Sequence, residues 1–173
     1  MLLERWGHRS SDRFVMDHAF VPSPGAQGFM CSNPPVLCCA ALRASLEVFD
    51  EAGGVQALRG KALKLTALLE ALLDQLPKDE PRLAGAITIF TPRDPEQRGC
   101  QLSLSFDSVP GGVAPVFQKL EAAGVICDVR KPVVMRVAPT PLYNSYVEVF
   151  DFVQLLKGVL LDILTEAAAK SAE

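Results

Sequence analysis

The chain has 173 residues, 49% of them hydrophobic and 21% charged, with a net charge of −3. That is enough chain for one domain with a real core, and it carries no basic stripe to neutralise phosphates, so nucleic-acid binding is disfavoured. One tryptophan and two tyrosines give no aromatic platform for stacked bases either. The N-terminus lacks the apolar centre of a signal peptide. The apolar stretches near the C-terminus are broken by Gln154, Lys157 and Asp162, so none spans a bilayer. A soluble, cytoplasmic chain with no membrane or nucleic-acid partner is expected.

Cys31, Cys38, Cys39, Cys100 and Cys127 are odd in number, form no C-x-x-C and have no metal-ligand spacing. Reduced and mostly buried thiols are expected, with no metal site. Residues 1–35 are irregular and rich in glycine, proline and serine, an unusual length for a loop within a compact domain. Such a loop is either functional or packs on something outside this chain.

Asn33 suits a helix N-cap and Pro34 the first turn. Val36, Cys39, Leu42, Leu46 and Phe49 then follow helical spacing up to the stop at Gly53-Gly54. A second helix is predicted over 55–76, with Leu58, Ala62, Leu65, Leu69, Leu72 and Leu76 on one face, followed by a charged loop from Pro77 to Pro81. Strands are predicted at 86–90 and 100–106, the latter alternating Leu102, Leu104 and Phe106 with Gln101, Ser103 and Ser105. A short helix over 113–123 follows, capped by Gly124. Two more strands are placed at 125–128 and 133–137. Ser145 and Glu148 have the spacing of a capping box. The last helix then lines up Tyr146, Val149, Phe150, Val153, Leu156, Leu160 and Leu164, and frays from Ala167. The order α-α-β-β-α-β-β-α describes a layered α+β domain (36–173), a small sheet with helices packed on one face, preceded by an irregular loop (1–35).

Chemistry-bearing motifs are scarce. There is no phosphate-binding glycine loop, no G-x-S-x-G and no H-E-x-x-H. His8 and His18 lie in a loop and read as surface residues. None of the seven lysines has the dry context that lowers an amine's pKa. Arg136 stands out, a single guanidinium inside the apolar strand Val133-Val134-Met135-Arg136-Val137. A buried guanidinium needs a carboxylate, carbonyl or ligand, and its fork matches a carboxylate face to face. Its partner is either elsewhere in the fold or a ligand. Asn33 is likewise open to two readings, an N-cap amide or a group aimed at a ligand.

Several strings together resemble the kynureninases: Trp6-Gly7-His8 with Arg13-Phe14 and Met16-Asp17; Gly28-Phe29-Met30-Cys31-Ser32-Asn33-Pro34-Pro35; Ala44-Ser45-Leu46-Glu47-Val48-Phe49; Arg98-Gly99-Cys100-Gln101-Leu102; Gly124-Val125-Ile126-Cys127-Asp128 with Arg130 and Pro132; and Arg136-Val137-Ala138-Pro139-Thr140-Pro141-Leu142-Tyr143-Asn144-Ser145. The resemblance implies the C-terminal small domain, with its interface loop, of a pyridoxal-phosphate enzyme of the aspartate-aminotransferase fold (fold type I). It implies hydrolysis of L-kynurenine or 3-hydroxykynurenine to anthranilate or 3-hydroxyanthranilate plus L-alanine, in tryptophan catabolism and NAD biosynthesis. Pyridoxal 5'-phosphate would be the electron sink.

By position, the resemblance implies that Arg136 grips the substrate α-carboxylate. Asn33 and Ser32 would reach cofactor and substrate across a homodimer interface. Trp6 and His8 would line the cofactor and the aryl end of the substrate. Arg5 stands where the family has a first aromatic that meets the cofactor. The family's large N-terminal region, with the lysine that anchors the cofactor, has no counterpart in this sequence. No catalytic residue is therefore assigned. The chain is expected to be inactive alone and to form a homodimer or pair with a large-domain chain. The alternative is a non-catalytic dimerisation or interaction module derived from that enzyme.

Overall fold

The computed structural model describes residues 5–15 and 18–171. Met16-Asp17 of the resemblance, and the side chain of Arg5, lie outside what is described. The chain divides into two compact units, Met1–Val48 and Phe49–Glu173.

The second unit holds the core. Its elements are α2 (Gly54–Asp79), β1 (Thr88–Ile89), β2 (Leu102–Ser105), α3 (Val113–Ala122), β3 (Asp128–Arg130), β4 (Val134–Val137) and α4 (Tyr146–Lys170). They are preceded by α1 (Val36–Glu51), so the expected α-α-β-β-α-β-β-α order is the observed one. The strands form one antiparallel sheet in the order β1-β2-β4-β3. The two-residue alternation of strands sends Leu102 and Leu104 of β2, and Met135 and Val137 of β4, into the core. There they meet Leu65, Leu69, Leu73 and Leu76 of α2, Val116 and Leu120 of α3, and Val153, Leu156 and Leu160 of α4. The intervening Ser103 and Arg136 fall on the opposite face.

Several boundaries move for identifiable reasons. The α2 helix runs through Pro77 to Asp79 rather than stopping at Leu76, with Glu80 N–H closing on the Leu76 carbonyl at 2.9 Å. Leu73, not Leu72, is buried on its face. In α4 the buried line is Val149, Val153, Leu156, Val159, Leu160 and Ile163, while Tyr146 and Phe150 remain 43% and 49% exposed. The third strand starts at Asp128 instead of Val125. Gly124, at φ 85°, ends α3 in a Schellman motif: its N–H donates to Glu121 O, and Val125 N–H donates to Leu120 O. Val125 is thus committed to the helix cap, and the pairing of β3 begins three residues later.

In the first unit α1 starts at Val36, not at Pro34 behind an Asn33 cap, and Cys39 N–H donates to the Pro35 carbonyl at 3.1 Å. Asn33 and Pro34 each precede a proline, which disfavours helical backbone at both. The α1 helix buries none of its residues. The cysteine expectation is corrected here: Cys31, Cys38 and Cys39 are exposed, and Cys100 and Cys127 are only half-buried. The first three lie on or just before α1, which has no core of its own to enter.

Candidate functional site

Arg136 sits on the outer face of β4, and its side chain is 32% exposed. The antiparallel register places Asp128 of β3 directly across from it and Ser103 of β2 on its other flank. Its Nη2 forms an ion pair with Asp128 Oδ2. Arg130, two residues along β3 on the same face, places its own Nη2 2.9 Å from that same oxygen. One carboxylate is therefore shared by two guanidiniums. The Nε of Arg136 is buried and has no hydrogen-bond partner among the described residues. A buried donor left unpaired costs about 1–3 kcal/mol, so the fork of Arg136 is only partly satisfied. Asp128 is thus the internal partner, and the Nε donor of the fork remains unpaired among the described residues.

The segment after Arg136 is tightly tied. Thr140 N–H donates to Asn144 Oδ1 at 2.7 Å, and Asn144 N–H donates back to the Thr140 carbonyl at 2.8 Å. Lys61 Nζ donates to the Pro141 carbonyl at 2.8 Å, pinning this loop to α2. The capping box is complete, with Ser145 N–H to Glu148 Oε2 at 2.6 Å and Glu148 N–H to Ser145 Oγ at 3.2 Å. These hydrogen bonds with Ser145 hold the Glu148 carboxyl below its ordinary range. The loop thus leaves β4 and enters α4 along a fixed path, and that path fixes the C-terminal end of the strand carrying Arg136.

A cleft of 650 Å³ opens on the other side of this strand end, lined by Val125, Cys127, Val137, Tyr143, Phe152 and Leu155 among others. Arg136 is not part of its wall, because strand alternation turns Val137 toward the helices and Arg136 away from them.

In the first unit, Trp6 and His8 belong to a small knot of loop. Arg9 N–H donates to Val21 O and Ser23 N–H to Gly7 O, both at 2.8 Å. A Cβ on Gly7 would lie 2.2 Å from the Gly28 carbonyl oxygen, so only glycine permits this approach. Arg13 stacks over Trp6 with its guanidinium carbon 5.2 Å from the ring centroid, and donates to the Trp6 carbonyl at 3.2 Å. His8 is not the surface residue expected. Its side chain is 14% exposed, its Nδ1 accepts from Val21 N–H at 3.2 Å, and its ring meets Phe20 edge-on. Ser32 and Asn33 are exposed and belong, with this knot, to the first unit, whereas Arg136 belongs to the second.

Two charged residues carry more than their sequence context suggested. Asp128 belongs to the string Gly124–Asp128, yet only the hairpin register reveals it as the partner of Arg136. Glu70 of α2 accepts from the nearly buried Arg98.

The sequence profile of the kynureninase C-terminal domain matches residues 58–156. The chain belongs to the kynureninase family. The kynureninase of Myxococcus xanthus (strain DK1622) is 51% identical over 153 residues, which cover 88% of this chain and 34% of that protein. The kynureninase of Xanthomonas euvesicatoria pv. vesicatoria (strain 85-10) is 50% identical over 156 residues, covering 88% and 34%. Kynureninase 2 of Aspergillus niger (strain ATCC MYA-4892 / CBS 513.88 / FGSC A1513) is 50% identical over 155 residues, covering 90% and 32%. The chain spans about a third of the length of the curated relatives it matches. The profile match takes in the whole four-stranded sheet, including Asp128, Arg130 and Arg136, so these are kynureninase-domain positions.

Proposed function

We propose that this chain supplies the substrate-carboxylate half of a kynureninase site, with Arg136 as the group that grips the α-carboxylate of L-kynurenine or 3-hydroxykynurenine. The observation that carries this reading is the incompletely satisfied guanidinium of Arg136, on the open face of the sheet and inside the region matched to the family. A planar fork binds a carboxylate with direction as well as charge, which is what holding an amino acid in a reactive pose requires. In this reading the domain has fold type I, and residues 1–35 are an interface loop in which Trp6, His8, Ser32 and Asn33 face a second subunit or a large domain.

Pyridoxal phosphate, when bound, supplies the electron sink for cleavage beside the α-carbon. The residues described here do not by themselves fit that cofactor. Lys61 is occupied by the Pro141 carbonyl and Lys119 by Glu166, and no lysine is buried in a dry pocket. The cofactor is therefore assigned to a site completed by a large domain, and this chain is proposed to be inactive alone. Incubation of the purified chain with pyridoxal phosphate and L-kynurenine, with and without the large-domain segment of a relative, tests this. Anthranilate fluorescence is expected only in the mixture; turnover by the chain alone at an enzyme-like rate would refute the division of labour.

A second reading is favoured by α1. Val36, Leu37, Leu42, Leu46 and Val48 are all more than half exposed, on a helix that buries nothing. An apolar helix surface of this kind suits a partner, and the chain would then be a non-catalytic interaction module. Light scattering behind size exclusion separates the cases, since a clean monomer at high concentration contradicts self-association.

A further inference from the structure

We propose that Asp128 is a positioning residue for Arg136, and that Arg130 is the counter-charge that lets it act as one. This rests on the reading of Arg136 as a carboxylate clamp and adds to it what aims the clamp. Among the described residues, Asp128 is the only side-chain partner of the Arg136 guanidinium, across a directly paired position of the β3–β4 hairpin. A long arginine side chain that is 32% exposed loses rotamer freedom when it binds, and a clamp held in advance has less to lose.

A carboxylate beside a carboxylate-binding arginine would ordinarily repel the ligand. Here its charge is met from the other side. Arg130 Nη2 lies 2.9 Å from the same Oδ2 that Arg136 contacts. The triad carries one net positive charge, so an incoming carboxylate meets an attractive field, while Asp128 still restrains the fork by one nitrogen. The unpaired Nε of Arg136 has no partner among the described residues to give up. Asp128 touches neither substrate nor cofactor in this scheme; it acts through Arg136.

The test uses the 173-residue chain labelled with nitrogen-15 and mixed with the large-domain segment of a relative, following the Arg136 Nε–Hε resonance by relaxation and by titration with L-kynurenine. Asp128→Asn is expected to loosen the guanidinium and to weaken binding roughly tenfold, the effect of misaiming a bound group. Asp128→Glu, which keeps the charge, should restore part of both, and Arg130→Gln should weaken binding by leaving Asp128 uncompensated. An Asp128→Asn chain with an equally ordered guanidinium and equal or tighter binding overturns the positioning role while leaving the clamp in place. A wild-type complex that shows no saturable shift, or a kynurenine affinity matched by Arg136→Lys, overturns the clamp itself. The amide spectrum of each variant reports whether the sheet is intact.

Discussion

Arg98 and Glu70 are joined by two hydrogen bonds across 28 residues of sequence, tying the approach to β2 onto the middle of α2. The Arg98 side chain is only 4% exposed and Glu70 15%. Arg98 Nη1 also donates to the Pro92 carbonyl at 3.1 Å, so its charge has little access to water. Removing Glu70 strands the charge of Arg98, whereas Glu70 itself has a second partner in the 52% exposed Arg93, whose Nη1 donates to its Oε1 at 2.7 Å. Glu70→Ala is expected to lower stability by about 3 kcal/mol, and Arg93→Ala by less than about 1 kcal/mol. Urea unfolding with unchanged slope would measure both.

The same pair sets an acid limit. Hydrogen bonding from Arg98, above all, holds the Glu70 carboxyl below its ordinary value of 4.5. A carboxyl with a depressed folded pKa contributes stability that is fully present above its unfolded value and is lost as pH falls through the folded one. The unfolding midpoint should therefore be flat with respect to Glu70 near neutrality and fall below about pH 4.5. In Glu70→Gln this component of the fall should disappear. A wild-type and Glu70→Gln difference that stays constant from pH 7 to pH 3 would contradict the assignment.

The cysteines should separate by chemistry. Burial pushes the Cys127 thiol above its ordinary value of 9.0, and the residue lines the apolar cleft. The thiolate is the reactive form, so Cys127 should alkylate slowly at neutral pH. The exposed Cys31, Cys38 and Cys39 should react first. Timed iodoacetamide labelling with peptide mass spectrometry reads the order. Early labelling of Cys127 would mean that the cleft opens.

The capping box at the start of α4 offers a local test. Ser145→Ala removes the hydroxyl that accepts from Glu148 N–H. The expected cost is about 1 kcal/mol, visible as a lower urea midpoint. Because the box ends the loop that leaves β4, the Arg136 Nε resonance should also shift.

Much of this architecture was legible in the residues. Period-two alternation in Leu102, Leu104 and Phe106, the run of leucines in α2, and Ser145 with Glu148 each carry their own signal, and the structure follows them. What escaped was non-local or hidden by a competing local rule. Val125 looks like the start of a strand until the Schellman motif at Gly124 claims its N–H. Asn33 looks like a cap until the two following prolines are allowed to restrict the backbone. The partner of Arg136 needed the β3–β4 register, which spacing alone does not state, although Asp128 lay in plain view. The exposure of Cys31, Cys38 and Cys39 could not be read from residue type, because cysteine's usual burial presumes a core that α1 does not have.

Arg136 is proposed to hold a substrate carboxylate rather than to brace the sheet. The most direct measurement is kcat/KM for L-kynurenine in the enzyme completed by a large domain, comparing wild type with Arg136→Lys. Lysine keeps the charge opposite Asp128 but loses the planar fork. A fall of roughly a hundredfold in kcat/KM is expected, with an unchanged unfolding midpoint. A variant with wild-type kcat/KM and lowered stability would show Arg136 to be a structural ion pair and would contradict it.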